Sequence, residues 1–297
     1  MPGPTSGQIS FSSLNQTLGL ASNQANTCLG GTGTYSCALT RRANSFGVID
    51  TNAPFRASEF YCYNNVKVDC LRFYMDASKP TSFPGSGTIL CDPLGCNLSI
   101  TRCSGVGYSS ANSGYFTTSG GANCLMYMTH TSQYNIENCI TIEAWVCVNT
   151  SNYHMIVTKQ PTGTARNFYP GNYEFRVAPD YSLEFLYQVN DFENFRLICS
   201  AANVVPVGVW RHILVTSGGD SYGGTKFYVN SVLCANRGIF GTVGNIVAVN
   251  PTALLLMARK DGLYYSGGLA YAAIYQGILS HAEVCQNYCA NKARFGL

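Results

Sequence analysis

The sequence predicts a mainly β chain: an antiparallel two-sheet sandwich with a small irregular or helical N-terminal segment and a short C-terminal helix. Three observations predict it. Ile140–Val148 and Leu183–Val189 alternate with a period of two, the signature of a strand. Turn residues recur between such runs, at Gly163, Pro170-Gly171, Pro179-Asp180, Gly218-Gly-Asp220, Gly223-Gly224 and Asp261-Gly262. Only 11% of the residues are charged, while Tyr (20) and Gly (30) are abundant, the composition of a neutral, turn-rich β protein.

Residues 1–67 differ from the rest. Ile9–Leu20 reads as a short helix, capped by Ser12 or Ser13, with Leu14 and Leu18 on one face. A Gly/Thr/Asn-rich connector follows from Thr27 to Thr34, then a second apolar motif, Pro54–Tyr61. So few apolar side chains cannot offset the ~1–2 kcal/mol per residue that backbone ordering costs. The segment is therefore expected to dock on the sandwich or on a neighbouring subunit.

Residues 68–297 are expected to form the sandwich domain. Leu71–Ala77 is its first strand, and Ser78–Thr88, with its Pro and Gly, a loop. In Ile140–Val148, Ile140, Ile142, Ala144, Val146 and Val148 point one way, and Thr141, Glu143, Trp145 and Cys147 the other. Leu183, Phe185, Tyr187 and Val189 repeat the pattern. Ile213 and Val215 alternate with His212, Leu214 and Thr216, which predicts a strand covered on both faces. Ser280-His-Ala-Glu283 is a capping box that opens a helix through about Lys292, with Val284 and Tyr288 on the face able to pack on a sheet.

Four segments in order, Ile140-Thr-Ile-Glu-Ala-Trp145, Trp210–Thr216, Phe227-Tyr-Val-Asn230 and Leu269–Tyr275, precede the tail that begins at Leu279. That order resembles the concanavalin A-like, laminin-G-type jelly roll. Asp76–Thr88 resembles the opening of such domains in microbial and viral proteins. Cys91-Asp-Pro-Leu-Gly-Cys-Asn97 stands where relatives carry a Trp/Tyr-x-Asp-x-Ser-Gly-Asn turn. Ile9-Ser-Phe-Ser-Ser-Leu-Asn15 and Ser58-Glu-Phe-Tyr61 resemble the leader of structural proteins from tailed phages and large aquatic viruses; there the second motif ends Tyr-Gly, here Tyr61-Cys62.

Signatures of catalysis are missing from the sequence. A glycosidase of this fold needs two carboxylates on one strand face, about 5–9 Å apart. No Glu-x-Asp-x-x-Glu run is present, and the nearest acidic pairs, Asp180/Glu184 and Asp191/Glu193, fall where turns are expected and read as solvated surface carboxylates. His130, His154, His212 and His281 are separate in sequence, and His212 reads as a packed histidine. The formal charge of +3, with no basic run beyond Arg41-Arg42, speaks against nucleic acid. No apolar stretch reaches the ~18–20 residues of a membrane span. The first residues, Met1–Gln8, show neither the basic nor the apolar region of a signal peptide.

The 14 cysteines lack the paired spacing of zinc ligands. Two readings stay open: buried small hydrophobes, or disulfides formed in an oxidising exterior. The close pairs are Cys91/Cys96, Cys28/Cys37, Cys62/Cys70 and Cys285/Cys289. Cys91–Cys96 is the first choice, because Pro93 and Gly95 permit a turn between them. Asn15, Asn97 and Asn149 begin glycosylation sequons. Some laminin-G-like relatives bind calcium, and the resemblance implies an acidic pair in the final strand; here Ala270-Tyr271 takes its place, so no metal or other cofactor is expected. Tyr222 beside Asp220, and Tyr264 and Tyr265 beside Asp261, can stack on and hydrogen-bond a sugar. Equally, Tyr is a common residue of sheets and subunit interfaces.

These readings lead to a non-enzymatic virion structural protein of capsid, tail or fibre. It would be made in a host cytoplasm and would partner other copies of itself or other virion proteins. A carbohydrate-binding lectin module is the alternative, and a glycoside hydrolase a weaker one.

Overall fold

The computed structural model describes residues 70–80, 82–91, 99–159, 172–189, 194–220, 224–247, 252–259 and 262–297. The chain divides into two compact units: Val68–Leu279, and Met1–Lys67 together with Ser280–Leu297. The motifs read in residues 1–67 lie outside the described residues.

The first unit is the antiparallel sandwich. In chain order its strands are β1 (Leu71–Asp76), β2 (Ile89–Cys91), β3 (Ser99–Arg102), β4 (Gly107–Ser109), β5 (Tyr115–Thr118), β6 (Met126–Met128), β7 (Ile140–Val148), β8 (His154–Lys159) and β9 (Tyr173–Val177). There follow β10 (Leu183–Gln188), β11 (Phe195–Ser200), β12 (Arg211–Ser217), β13 (Thr225–Val229), β14 (Val232–Cys234), β15 (Asn236–Gly241), β16 (Leu254–Leu256) and β17 (Gly267–Gln276). Among the described residues these make two sheets. One has eight strands in the order β14-β13-β12-β7-β17-β5-β4, with β1 also paired to β17. The other has nine, in the order β15-β11-β10-β9-β8-β16-β6-β3-β2.

β17 lies along the whole of β7, from Gly267 opposite Val148 to Gln276 opposite Ile140. Its other edge is shared by β5 and β1. Gly267 makes the close approach possible. Its φ is 139°, and a Cβ there would sit 2.0 Å from the Cys147 carbonyl oxygen, so only glycine fits.

The core forms where inward faces meet. Ile140, Ile142, Ala144, Val146 and Val148 of β7 join Tyr173, Phe175 and Val177 of β9 and Leu183, Phe185 and Tyr187 of β10 in one apolar cluster. Alternation therefore divides the faces as read. It does not say what covers each face. Thr141, Glu143 and Trp145 point away from the core and are fully buried as well. So are His212, Leu214 and Thr216 of β12, the strand expected to be covered on both sides. Glu184 departs from expectation. It is not a solvated turn carboxylate but lies in β10 and is 7% exposed. The turn closes at Ser182, whose backbone N–H donates to Asp180 Oδ1, and the strand begins at Leu183 as the alternation reads; Glu184 is buried because Arg176 of β9 pairs with it.

In the second unit, α1 (His281–Asn291) begins at the capping box. The Ser280 hydroxyl accepts from the Glu283 N–H, and Glu283 Oε2 accepts from the Ser280 N–H at 2.8 Å. Val284 is buried and Tyr288 partly so. Cys285 and Cys289 are not joined to each other. Their four-residue spacing on a regular helix puts the Cβ atoms ~5–6 Å apart, whereas a disulfide needs ~3.8 Å. Cys70 is a free thiol in the structure. The Cys91 side chain, and Cys28, Cys37, Cys62 and Cys96, lie outside the described residues.

Candidate functional site

Of the two candidate pairs read from the sequence, the described members Asp220 and Tyr264 lie at opposite ends of the sandwich. β12 ends at Ser217, opposite Ile140, the first residue of β7. Asp220 follows it, at that end of the sandwich. Ser266, in contrast, accepts the N–H of Asn149, just past the last residue of β7. Tyr264 therefore lies at the opposite end. Nine residues of β7 at ~3.4 Å each separate the two groups. Tyr222 and Asp261 lie outside the described residues.

Asp220 acts as a clamp. Its Oδ1 accepts from Arg196 Nη2 at 2.9 Å and its Oδ2 from the Gly244 N–H at 2.7 Å. Tyr265, expected to face a sugar, is fully buried. Its hydroxyl donates to Gly268 O at 2.7 Å and lies 3.0 Å from Cys147 O. Burial holds that phenol well above its ordinary pKa, so it remains a donor. A tyrosine next to a glycine-rich strand start reads as a loop residue, but its hydroxyl has two backbone carbonyls to serve inside the sandwich. Tyr264 is part-buried and bridges Ala258.

At the Tyr264 end, three segments converge. The β7–β8 turn, Asn149–Tyr153, is exposed at Ser151, Asn152 and Tyr153. His154 pins it. The His154 Nε2–H donates to Thr150 O at 2.7 Å, and Nδ1 accepts from the Ser266 N–H at 3.2 Å. These partners fix the neutral tautomer, and burial lowers the imidazole pKa, which reinforces it. The segment after β16 forms a second turn, with the Arg259 N–H donating to Leu263 O at 2.7 Å. It leaves β16 through Met257, a non-glycine residue at φ 65°. That left-handed backbone costs ~1–2 kcal/mol, and such strain gathers at functional segments. The β8 strand carries a bulge between Met155 and Val157, which puts both Ile156 and Val157 in the core. Bulges re-aim the side chains beside them.

The third component is a charge network on the outward face of β9 and β10. Arg176 Nη1 donates to Glu174 Oε1, and Arg176 Nε to Glu184 Oε2, each at 2.7 Å. Arg259, from the second turn, stands 3.6 Å from Glu174 Oε2. That oxygen accepts no hydrogen bond among the described residues, although it is buried. The Cys199 thiol donates to Glu184 Oε1, and burial and that carboxylate push its pKa up to about 11, so it is an inert thiol. Above the network lies Tyr153, its ring centroid 4.6 Å from the Arg176 guanidinium carbon and 36% of the residue exposed.

Sequence reading missed this network, because its members lie in strands that meet only through the β9–β10 and β8–β9 registers. Glu174-x-Arg176 and Glu184 each sit at alternate positions among apolar residues, and that was the available signal. Glu174 and Glu184 are two carboxylates on one face, the arrangement a glycosidase needs. Here, however, Arg176 occupies the space between them, where a glycosidase leaves room for the sugar.

No curated protein matches the chain in sequence. Among solved structures, the binding domain of Paraclostridial Mosquitocidal Protein 1 is similar to it at 15% identity and a TM-score of 0.52, over 74% of this chain and 52% of that one. The botulinum neurotoxin serotype C1 binding domain is similar at 13% identity and a TM-score of 0.54, over 74% and 52%. A further botulinum neurotoxin type C structure, of a toxin whose cell entry is described as dependent upon interaction with two ganglioside molecules, is similar at 14% identity and a TM-score of 0.53, over 74% and 51%. This chain spans about half the length of each, and at such identities the likeness is one of fold. In sequence, residues 109–285, more than half of the chain, match the laminin-G-type family model, and the chain belongs to the concanavalin A-like lectin/glucanase superfamily.

Proposed function

We propose that this protein is a non-catalytic binding module of lectin type. Its ligand is a glycan, held at the sandwich end where the Asn149–Tyr153 turn, Arg259 and Tyr264 lie. The observation that carries this reading is the exposed Tyr153 ring fixed 4.6 Å from Arg176, which is itself tied to two carboxylates. An aromatic ring held still costs little entropy when a sugar stacks on it. The part-buried Tyr264 adds a second ring on the neighbouring turn. Arg176 between the two carboxylates favours binding over hydrolysis. The ganglioside interaction described for a neurotoxin of similar fold is consistent with a glycan ligand.

The structural role in a virion rests on the motifs in residues 1–67. A glycan-binding sandwich on a particle surface would serve both readings.

A glycan array probed with the full chain tests the proposal, followed by affinity measurement for the best glycan. Tyr153→Ala is expected to weaken binding at least tenfold, with the far-UV circular dichroism unchanged. An array with no bound glycan overturns the lectin reading. Binding untouched by Tyr153→Ala overturns the site.

A further inference from the structure

Two consecutive strands close the same side of the sandwich, and neither is sealed. β14 is the outermost strand of the eight-stranded sheet and β15 the outermost of the nine-stranded sheet. The connection between them is tied to both sheets. Asn236 Nδ2 donates to Thr225 O at 2.9 Å, and the Ala201 N–H donates to Ala235 O at 2.8 Å.

Along this edge the large apolar side chains are exposed: Val232 by 68%, Leu233 by 55%, Ile239 by 54%, Phe240 by 56% and Val243 by 67%. Register shows where they point. Val232 lies opposite Val229, which packs against the core, and Ile239 lies opposite Ile198, which is buried. Both therefore sit on the core-facing side of their strands, yet remain over half exposed. The seam between the sheets is open here. Leu233 and Phe240 face outward on either side of it, opposite Tyr228 and Leu197.

We infer that this edge is a two-fold interface between two copies of the chain, in which β15 pairs antiparallel with its counterpart and the apolar strip closes the open seam. Three features select a second copy. First, the outer edge of β15 bonds no strand among the described residues, and what satisfies a row of strand N–H and C=O groups is another strand edge. Second, the strip from Val232 to Val243 carries one charged residue, Arg237, which is already ion-paired to Asp180 of its own chain. It offers no unpaired charge to select a differently charged partner. With the axis near Ile239, the two Arg237 side chains stand about four residues, or ~14 Å, apart along the paired strands, beyond the Debye length. An isologous contact of this kind sets each residue against its own kind without a clash of charge. Third, the exposed parts of the five apolar side chains amount to about 400–500 Å2, more than half of the ~800 Å2 that each partner contributes to a standard interface. The flanking backbone supplies the rest.

This inference is independent of the glycan site, which lies on other loops. The test is analytical ultracentrifugation of the full chain from about 1 to 100 µM. The wild type is expected to sediment as a dimer, and Phe240→Glu combined with Leu233→Glu to shift the dissociation constant upward by at least a hundredfold. Both substitutions are on outward faces, so circular dichroism and the urea midpoint should stay within error of wild type. Ile239→Lys, which tests the seam itself, is expected to give the same monomer. A wild type that remains monomeric at 100 µM overturns the inference, because some other occupant then covers the edge. A dimer that persists in the folded Phe240→Glu, Leu233→Glu variant also overturns it, since the contact would lie elsewhere.

Discussion

Tyr275, on β17, donates its hydroxyl hydrogen to Oε1 of Glu143, on β7, at 2.8 Å. Tyr271 donates to the same oxygen, and His212 Nε2, on β12, lies 3.3 Å from the other. One fully buried carboxylate thus joins three neighbouring strands on the outward face of the eight-stranded sheet. Burial, then the Glu143 charge, hold the Tyr271 phenol well above its ordinary range, so it stays a donor.

Removing that carboxylate should be costly. Glu143→Ala leaves two buried hydroxyls and an imidazole without their acceptor, and is expected to destabilise the fold by ~3 kcal/mol. Glu143→Gln keeps an acceptor oxygen and should cost about half of that. Urea midpoints for the two variants, at equal m-values, measure this. A Glu143→Ala protein as stable as wild type would show that the three donors find other acceptors.

The Arg176 network should respond differently to truncation and to wholesale replacement. Arg176→Ala strands Glu174 and Glu184 inside the structure, and a loss of ~3–5 kcal/mol is expected. A triple Glu174→Leu, Arg176→Met, Glu184→Leu variant removes all three charges and should recover most of that loss. Thermal unfolding of both proteins decides the matter. If the triple variant were no more stable than Arg176→Ala, the charges would be contributing through packing and not through pairing.

Lys159 gives a signed pH effect. Burial pulls its ammonium down from 10.5 to about 8, while Nζ donates to Asn172 Oδ1 at 3.0 Å. Between pH 8 and ~10.4 the folded protein has released this proton and the unfolded chain still holds it. The unfolded state then binds more protons, so this group makes stability rise with pH across that window. Lys159→Met should remove the rise, and the wild-type minus variant difference in urea midpoint should grow from pH 7 to pH 10. A difference that stays flat or shrinks would mean that Lys159 titrates normally.

The sequence marked the sandwich well, for a local reason. Ile140–Val148 alternates because successive strand side chains face opposite ways, and the same local rule gives Leu183–Val189 and the capping box at Ser280 and Glu283. It says less about the site. Asp220 and Tyr264 belong to two separate candidate pairs, and their places beyond opposite ends of β7 follow only from the strand registers. In the sequence Tyr265 reads as a surface ring, because nothing local shows that its hydroxyl meets the Gly268 carbonyl.

By itself, then, the sequence determined that Ile140–Val148 and Leu183–Val189 are strands, which way Ile142 and Glu143 point, and where the terminal helix starts, since each depends on neighbours a few residues away. Tertiary structure alone decided that Glu143 is buried on the outward face, that Arg176 binds Glu174 and Glu184 beneath Tyr153, and that Val232 and Ile239 are left at an open seam. Those outcomes depend on the order and register in which distant strands pair. Burial, charge pairing and exposure are properties of the assembled surfaces, and no period along the chain encodes them.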